Sequence, residues 1–319
     1  MRILLTGGTG FIGSALADAI RTGTGHELVL AGRSADGAAA DSRVRSVSVG
    51  SLGPATDWRS ALQQVEVVIH CAARVHVLRE REPRPLDAFR EVNVAGTARL
   101  ARQAAEQGVR RFVFLSSVKV HGESSLPGSP FRAGDAYAPA DAYAISKMEA
   151  EQALRALAAE SGMELVIIRP PLVYGPGVGA NFKAMMDWLG RGVPLPLAFI
   201  HNRRSLVALD NLVDLVLLCI EHPAAVGKAL LVSDGEDLST PELLRRLGLA
   251  MGRPARLLPV PPRWLEAGAS LLGREALARR LCGHLQVDIG ETCDLLGWSP
   301  PVCVDEALRR TAEAHRLAR

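Results

Sequence analysis

The sequence predicts an α/β fold: a doubly wound, mostly parallel sheet with helices on both faces and a smaller C-terminal α/β cap. Three observations point there. The first half alternates short Val/Ile/Leu-rich runs with longer segments of helical spacing, the pattern of βαβ units. Those runs are apolar nearly throughout, as strands are when both sheet faces are covered. After residue 169 the texture changes, because Pro170, Pro171, Pro176, Pro194 and Pro196 interrupt any regular element.

In chain order, residues 2–6 form the first strand and 11–21 the first helix, and 27–31 and 44–49 are the next two strands. A short helix is expected near 57–63, before a fourth strand at 66–70. A long helix over 86–107 leads to a fifth strand at 111–116, and a helix over 141–161 to a sixth at 164–169. Strand character returns at 229–232, 257–262 is Pro-rich, and an amphipathic helix near 304–317 ends the chain. The core therefore covers residues 1–170 with a return at about 205–235, and the cap covers 171–204 and 236–319.

With 48% hydrophobic and 22% charged residues, the 319-residue chain has an ordinary globular composition and cannot be a disordered one. A net charge of +3 without a dense Lys/Arg run excludes a nucleic-acid arm. Cys71, Cys219, Cys282, Cys293 and Cys303 are scattered and include no CxxC pair, which suits reduced thiols. Met1 leads directly into a strand, and the longest apolar stretch, 212–220, is too short to span a bilayer and carries Asp214. The expectation is a cytoplasmic protein with neither membrane nor nucleic acid as partner. His70 and His76 lack a third ligand at a sensible spacing, so no metal is expected. Trp188, Trp264 and Trp298 read as cap packing.

The first strand runs into Thr6-Gly7-Gly8-Thr9-Gly10-Phe11-Ile12-Gly13. Glycines at 7, 10 and 13 between a strand and a helix form the dinucleotide fingerprint of the Rossmann fold. Gly7 permits the tight turn, Gly10 lets backbone approach a pyrophosphate, and Gly13 lets helix and strand pack closely. The helix N-terminus offers free N–H groups to the anion, with Phe11 and Ile12 beside it. At the end of the second strand, where an acid would select NAD, stands Arg33. It can pair with a 2′-phosphate, which favours NADP over NAD, or it can lie solvated or stacked on adenine. Ser51 replaces the acid expected to reach adenine after the third strand.

Tyr143 and Lys147 lie one helical turn apart on one face. A free tyrosine is a poor base at neutral pH, and a neighbouring ammonium and a positive nicotinamide ring lower its pKa. Tyr143 would then move a proton to or from a substrate oxygen. The fifth strand ends at Ser116-Ser117, at the carboxyl edge where ligands bind in this architecture.

The chain resembles the extended short-chain dehydrogenase/reductases, in their nucleotide-sugar epimerase and reductase branch. The resemblance rests on TGGTGFIG (6–13), VVIHCAA (67–73), NVAGT (93–97), FLSSVKVHG (114–122), YAISK (143–147) and RPPLVYGPG (169–177), and covers nearly the whole chain. It implies that Ser117, Tyr143 and Lys147 are catalytic and that Asn93 braces the active-site helix. Ala72, Ala73, Pro170 and Val173 would border the cofactor, with Tyr143 and Lys147 also touching it. Asn181 and Arg204 would contact a UDP-linked sugar, with Arg274 as a second phosphate contact and Lys119 and His121 near the sugar. Arg204 can equally be read as a bridge between cap and core. A homodimer through helices 86–107 and 141–161 is implied as well.

Sugar dehydratases of this family carry an Asp-Glu pair after the catalytic hydroxyl, where this chain has Val118 and Lys119, so dehydration is disfavoured. Residues 285–301 and 257–265 resemble reductases of UDP-4-keto-6-deoxy-N-acetylhexosamines that serve surface polysaccharide synthesis. The sequence favours that 4-reductase. The alternative is a UDP-sugar 4-epimerase with retained NAD. Further alternatives are a hydroxysteroid- or dihydroflavonol-like reductase and a non-catalytic NAD(P) sensor.

Overall fold

Strand β1 (Arg2–Thr6) lies at the centre of the sheet because both of its faces are apolar. Ile3 and Leu5 point into one core layer and Leu4 into the other, all fully buried. A computed structural model describes residues 1–34, 41–75, 84–271, 273 and 281–318.

The further strands are β2 (Glu27–Gly32), β3 (Val44–Ser48), β4 (Val67–His70), β5 (Arg111–Leu115), β6 (Glu164–Arg169), β7 (Leu172–Tyr174), β8 (Arg204–Ala208), β9 (Ala229–Leu231) and β10 (Asp237–Leu238). Seven of them form a parallel sheet in the order β3-β2-β1-β4-β5-β6-β9, and β10-β8-β7 form a second sheet. The order reverses between β1 and β4, and crevices for ligands open at such switch points beyond the carboxyl ends of the strands.

The helices are α1 (Phe11–Gly23), α2 (Pro85–Phe89), α3 (Thr97–Glu106), α4 (Ala142–Ser161), α5 (Ala180–Gly190), α6 (Leu209–Glu221), α7 (Thr240–Ala250), α8 (Pro262–Leu271), α9 (Gly290–Leu296) and α10 (Val304–Leu317). Leu16 and Ile20 of α1 and Leu212 and Val216 of α6 cover one face of the large sheet. Leu100 and Ala104 of α3 and Leu154 of α4 cover the other. A third cluster, with Phe182, Met186, Leu206, Leu247 and Leu308, fills the cap.

Three expectations change. Residues 57–63 form turns rather than a helix. Asp57 bonds the Arg59 amide at 3.1 Å, and the Trp58 amide donates to Gln103 Oε1 at 2.7 Å, so Trp58 and Leu62 reach the core from a loop. The long helix over 86–107 exists, but a π-helical turn at Arg90–Gly96 divides it. Trp298 packs in the core layer under α6, not in the cap, and its indole donates to Asp214 Oδ2 at 2.7 Å.

Helix α4 starts at Asp141, whose carboxylate accepts the Ala144 amide at 2.7 Å, and stops at Gly162, which takes the left-handed conformation at φ 74°. Asp141→Ala removes this cap and should cost about 1 kcal/mol. The measurement is the urea midpoint; an unchanged midpoint would mean that packing alone sets where α4 begins.

Candidate active site

The glycine turn has the shape its spacing predicts. Gly7 has φ +73°, and a Cβ there would lie 2.7 Å from the Ala72 amide nitrogen. A Cβ on Gly13 would lie 2.1 Å from the Gly7 carbonyl oxygen. Both positions therefore need glycine for the protein's own packing. Gly10 is different: a Cβ there would meet only Gly7 O, at 3.2 Å. Gly10 is also the N-cap of α1 and places no side chain over the helix end, so the first-turn N–H groups of Phe11, Ile12 and Gly13 face outward as anion donors. Such a side-chain-free cradle fits a dinucleotide pyrophosphate.

The cradle is fastened to the neighbouring strand end. The Ala72 amide donates to Thr6 Oγ1 at 3.2 Å, and His70 joins Thr6 at 2.7 Å and Thr97 at 2.9 Å. Burial drives His70 down to about 3, so it is a neutral hydrogen-bonded core residue. Ala72 and Ala73 lie half-buried beside the turn, and Arg33 is exposed at the end of β2, with its carbonyl accepting Ser48 Oγ at 3.0 Å.

The sheet edge and α4 bring the three expected catalytic residues together. Ser117 lies two residues past the end of β5, and its side chain hydrogen-bonds Tyr143. Tyr143 also meets Phe89 edge-on, with ring centroids 6.3 Å apart. Lys147 is buried; its ammonium donates to the Leu115 carbonyl at 2.7 Å and sits 4.4 Å above the Phe114 ring. Burial lowers the Lys147 amine to about 8, opposed by Cys71 and Glu151. The expected lowering of Tyr143 does not hold in the chain alone. Burial raises its hydroxyl above the ordinary value and Asp141 adds to the rise, while only the Ser117 hydrogen bond opposes them.

Asn93 belongs to the π turn and is buried. It donates to Ser146 Oγ on α4 at 2.9 Å and to Arg74 O at 3.0 Å, and accepts the Arg74 amide at 2.7 Å. The extra residue in that turn aims Asn93 at α4, as π turns do at many functional sites. Pro170 is buried and its carbonyl accepts the Val118 amide at 3.0 Å, which places the 170–173 segment, with half-buried Val173, alongside Ser117.

The residues expected on the substrate side are spread more widely. Lys119 donates to Asp141 at 2.7 Å and Glu123 at 3.2 Å, so it carries no free charge into the crevice. His121 is buried rather than lining an open wall: it stacks on Phe131 and Tyr137, and Arg169 Nη1 lies 2.9 Å from its Nε2. Asn181 is exposed in the first turn of α5, following Ala180 at φ 49°. Arg204, at the start of β8, donates to the Gly283 carbonyl at 3.0 Å. Arg274 and His76 lie outside the described residues. Among the described residues, no three His, Cys, Asp or Glu side chains gather as metal ligands.

Sequence reading missed Glu151 and Arg169, a fully buried pair joined at 2.5 Å directly behind Ser116. The available signal was the position of Glu151, one turn beyond Lys147 on the same face of α4.

The family model for the NAD dependent epimerase/dehydratase family matches residues 3–232. The chain belongs to that family. It is 46% identical over 317 residues to a UDP-glucose 4-epimerase of Vibrio cholerae, covering 98% of this chain and 94% of that one. A UDP-glucose 4-epimerase of Mycolicibacterium smegmatis is 30% identical over 332 residues, covering 99% of both chains. Among solved structures, a UDP-glucuronic acid 4-epimerase from Bacillus cereus in complex with NAD superposes with a TM-score of 0.79 at 19% identity, covering 99% of each chain. The chain is thus an NAD-dependent enzyme of the extended short-chain dehydrogenase type, within the nucleotide-sugar epimerases and dehydratases. No described helix is long and apolar enough to cross a membrane.

Proposed function

We propose that the chain is a UDP-sugar 4-epimerase. This moves the reading from the reductase favoured by the sequence to its alternative. The 46% identity to the Vibrio cholerae UDP-glucose 4-epimerase over 98% of the chain carries it, together with the assembled Ser117–Tyr143–Lys147 set.

The sugar C4 oxygen binds between the Ser117 and Tyr143 hydroxyls. Tyr143 takes the proton of the C4 hydroxyl as the C–H bond is broken and returns one when the carbonyl is reduced on its other face. Ser117 holds the oxygen by a hydrogen bond in both states. Lys147, anchored on the Leu115 carbonyl, would orient the cofactor ribose, and the bound nicotinamide ring would bring the positive charge that favours the tyrosinate. The 7–13 cradle and the 72–73 and 170–173 segments would hold NAD, which would supply the hydride chemistry at C4. Asn93 keeps α4 in register through Ser146, while Asn181, Arg204 and Arg274 take the uridine diphosphate side. Lys119 stands on the sugar side, held by its ion pair with Asp141, while the buried His121 acts only from behind it. Val118 and Lys119 provide no acid–base pair for eliminating water, so the keto stage returns to an alcohol.

Arg33 favours a second reading. With that exposed cation at the end of β2, NADP binding and exchange would suit a UDP-4-keto-6-deoxy-N-acetylhexosamine 4-reductase. One assay separates the two. Proton NMR of UDP-glucose and UDP-N-acetylglucosamine with the purified protein, without added cofactor, should show each anomeric signal equilibrating with that of its C4 epimer. Stoichiometric loss of NADPH with the 4-keto sugar, and no epimerisation, would establish the reductase. If neither occurs and UDP fails to raise the melting temperature, the nucleotide-sugar reading falls to a steroid-like reductase or a cofactor sensor.

The assembly proposed is a homodimer. Between α3 and α4 runs a shallow groove lined by Ala98, Ala105, Ala153, Ala156 and Leu157 together with Arg102, Glu106, Glu160 and Ser161, and its small side chains let helices of a second copy approach. Light scattering at twice the 34.0 kDa chain mass is the expected result.

A further inference from the structure

Behind the catalytic set lies a polar cluster that the mechanism above does not use. Glu151, on α4 one turn past Lys147, is wholly buried. It accepts hydrogen bonds from Ser116 Oγ at 2.5 Å, Tyr137 OH at 2.8 Å, Arg169 Nε at 3.0 Å and Arg169 Nη2 at 2.5 Å. Arg169, the last residue of β6, also donates to the Ala133 carbonyl at 2.8 Å and to His121 Nε2 at 2.9 Å. That bond makes Nε2 an acceptor and leaves the His121 proton on Nδ1, towards the Ala136 carbonyl.

The placement matters more than the count of bonds. Lys147 grips the Leu115 carbonyl while Glu151 grips the hydroxyl of Ser116, so two residues one turn apart on α4's inner face hold the last residue of β5 and the residue after it. Ser117 comes next. Through Arg169 the same carboxylate is tied to the strand that leads into 170–173, and through Tyr137 to the loop that precedes α4. We infer that the buried Glu151–Arg169 pair is a positioning element of the active site: through Ser116 it sets Ser117 against Tyr143, and it places a carboxylate one helical turn from Lys147. This rests on the assignment of Ser117, Tyr143 and Lys147 as the catalytic set.

Charge supports the geometry. The titratable groups facing Lys147 are Glu151 on its own helix and His70 and Cys71 from the end of β4. His70 is neutral and burial pushes the Cys71 thiol up to about 12, so Glu151 is the anion that helps the amine hold its proton. Burial would raise the Glu151 carboxyl, but Arg169, with Ser116 and Tyr137, holds it below its ordinary value.

The test compares wild type with Glu151→Gln and with the double variant Glu151→Leu/Arg169→Met. The amide of the first replaces an acceptor oxygen by a donor facing Arg169. The second removes both charges at similar volume and keeps the core packed. Two readouts are taken: the titration of the Lys147 ε-carbon resonance, assigned with Lys147→Arg, and kcat and KM for the UDP-sugar. The expected result is a Lys147 pKa below that of wild type in both variants, with kcat lowered tenfold or more and KM within about threefold. A Lys147 titration unchanged in both variants overturns the inference, and so does a double variant with wild-type kcat, since the pair would then only fill space. Should wild type turn over no UDP-sugar, the proposed function fails while the Lys147 titration still decides the inference.

Discussion

Tyr143→Phe should lower kcat by roughly 10²–10⁴-fold, the usual contribution of a positioned acid–base group. The fold gives no reason for any other large change. The ring meets Phe89 edge-on and a phenylalanine keeps that contact; the hydrogen bond to Ser117 is what disappears. Melting temperature and dinucleotide binding should therefore stay near wild type. In the chain alone the hydroxyl holds its proton firmly, because burial and Asp141 both disfavour the anion. The residue is thus set to donate until a cation is brought close, and removing the oxygen removes both directions of proton transfer. Residual turnover within a few-fold of wild type would move the acid–base role to another group and leave Tyr143 a packing residue.

Gly13→Ala is the second large effect, and it falls on binding and stability together. The new methyl would lie 2.1 Å from the Gly7 carbonyl oxygen, 2.7 Å from its carbon and 3.1 Å from the Gly8 Cα, all backbone atoms with no flexible side chain to yield. The turn has to move. An overpacking cost of about 1–3 kcal/mol is expected, with loss of the dinucleotide-induced rise in melting temperature. Gly10→Ala is the natural comparison. Its methyl would approach Gly7 O at 3.2 Å and the residue has an ordinary φ of −82°, so the chain should fold normally and still bind dinucleotide poorly. Calorimetric melting with and without NAD separates the two. Equal stability losses for both variants would mean that Gly10 also serves the fold, and the assignment of its bare surface to the ligand would be withdrawn.

How far the sequence was legible depends on how local each signal is. The six strands from Arg2 to Arg169 fall within about a residue of their expected ends, since all but the edge strand β3 are largely buried apolar runs closed by glycine, charge or a turn. Residues 57–63 misled because Trp58 and Leu62 are spaced like one face of a helix, yet side-chain bonds from Asp57 and Gln103 hold them in a turn. The π turn at Arg90–Gly96 has no periodicity that sets it apart from the helix around it.

In the site, Gly7, Gly13, Ser117, Tyr143 and Lys147 were readable because their chemistry needs fixed spacing along one chain segment. Glu151 and Arg169 were not. A charged residue within a helix reads as solvated surface, and only the meeting of α4 with the end of β6 shows a carboxylate and a guanidinium buried against each other. His121 was placed on the pocket for the converse reason. Its number in the motif puts it near the sugar, while its ring is turned inward by Arg169, Phe131 and Tyr137.

The parallel order of the large sheet also bears on how the protein is made. A parallel neighbour cannot pair until its crossover has been synthesised, and β6 waits for its outer partner until Ala229–Leu231 have emerged. Trp298 then closes the layer beneath α6 later still. A nascent chain on the ribosome therefore carries an open apolar strand edge through much of translation, the state in which edge-to-edge association competes with folding. Slow elongation or chaperone capture between residues 170 and 229 should thus raise the soluble yield more than the same help given to the first strands.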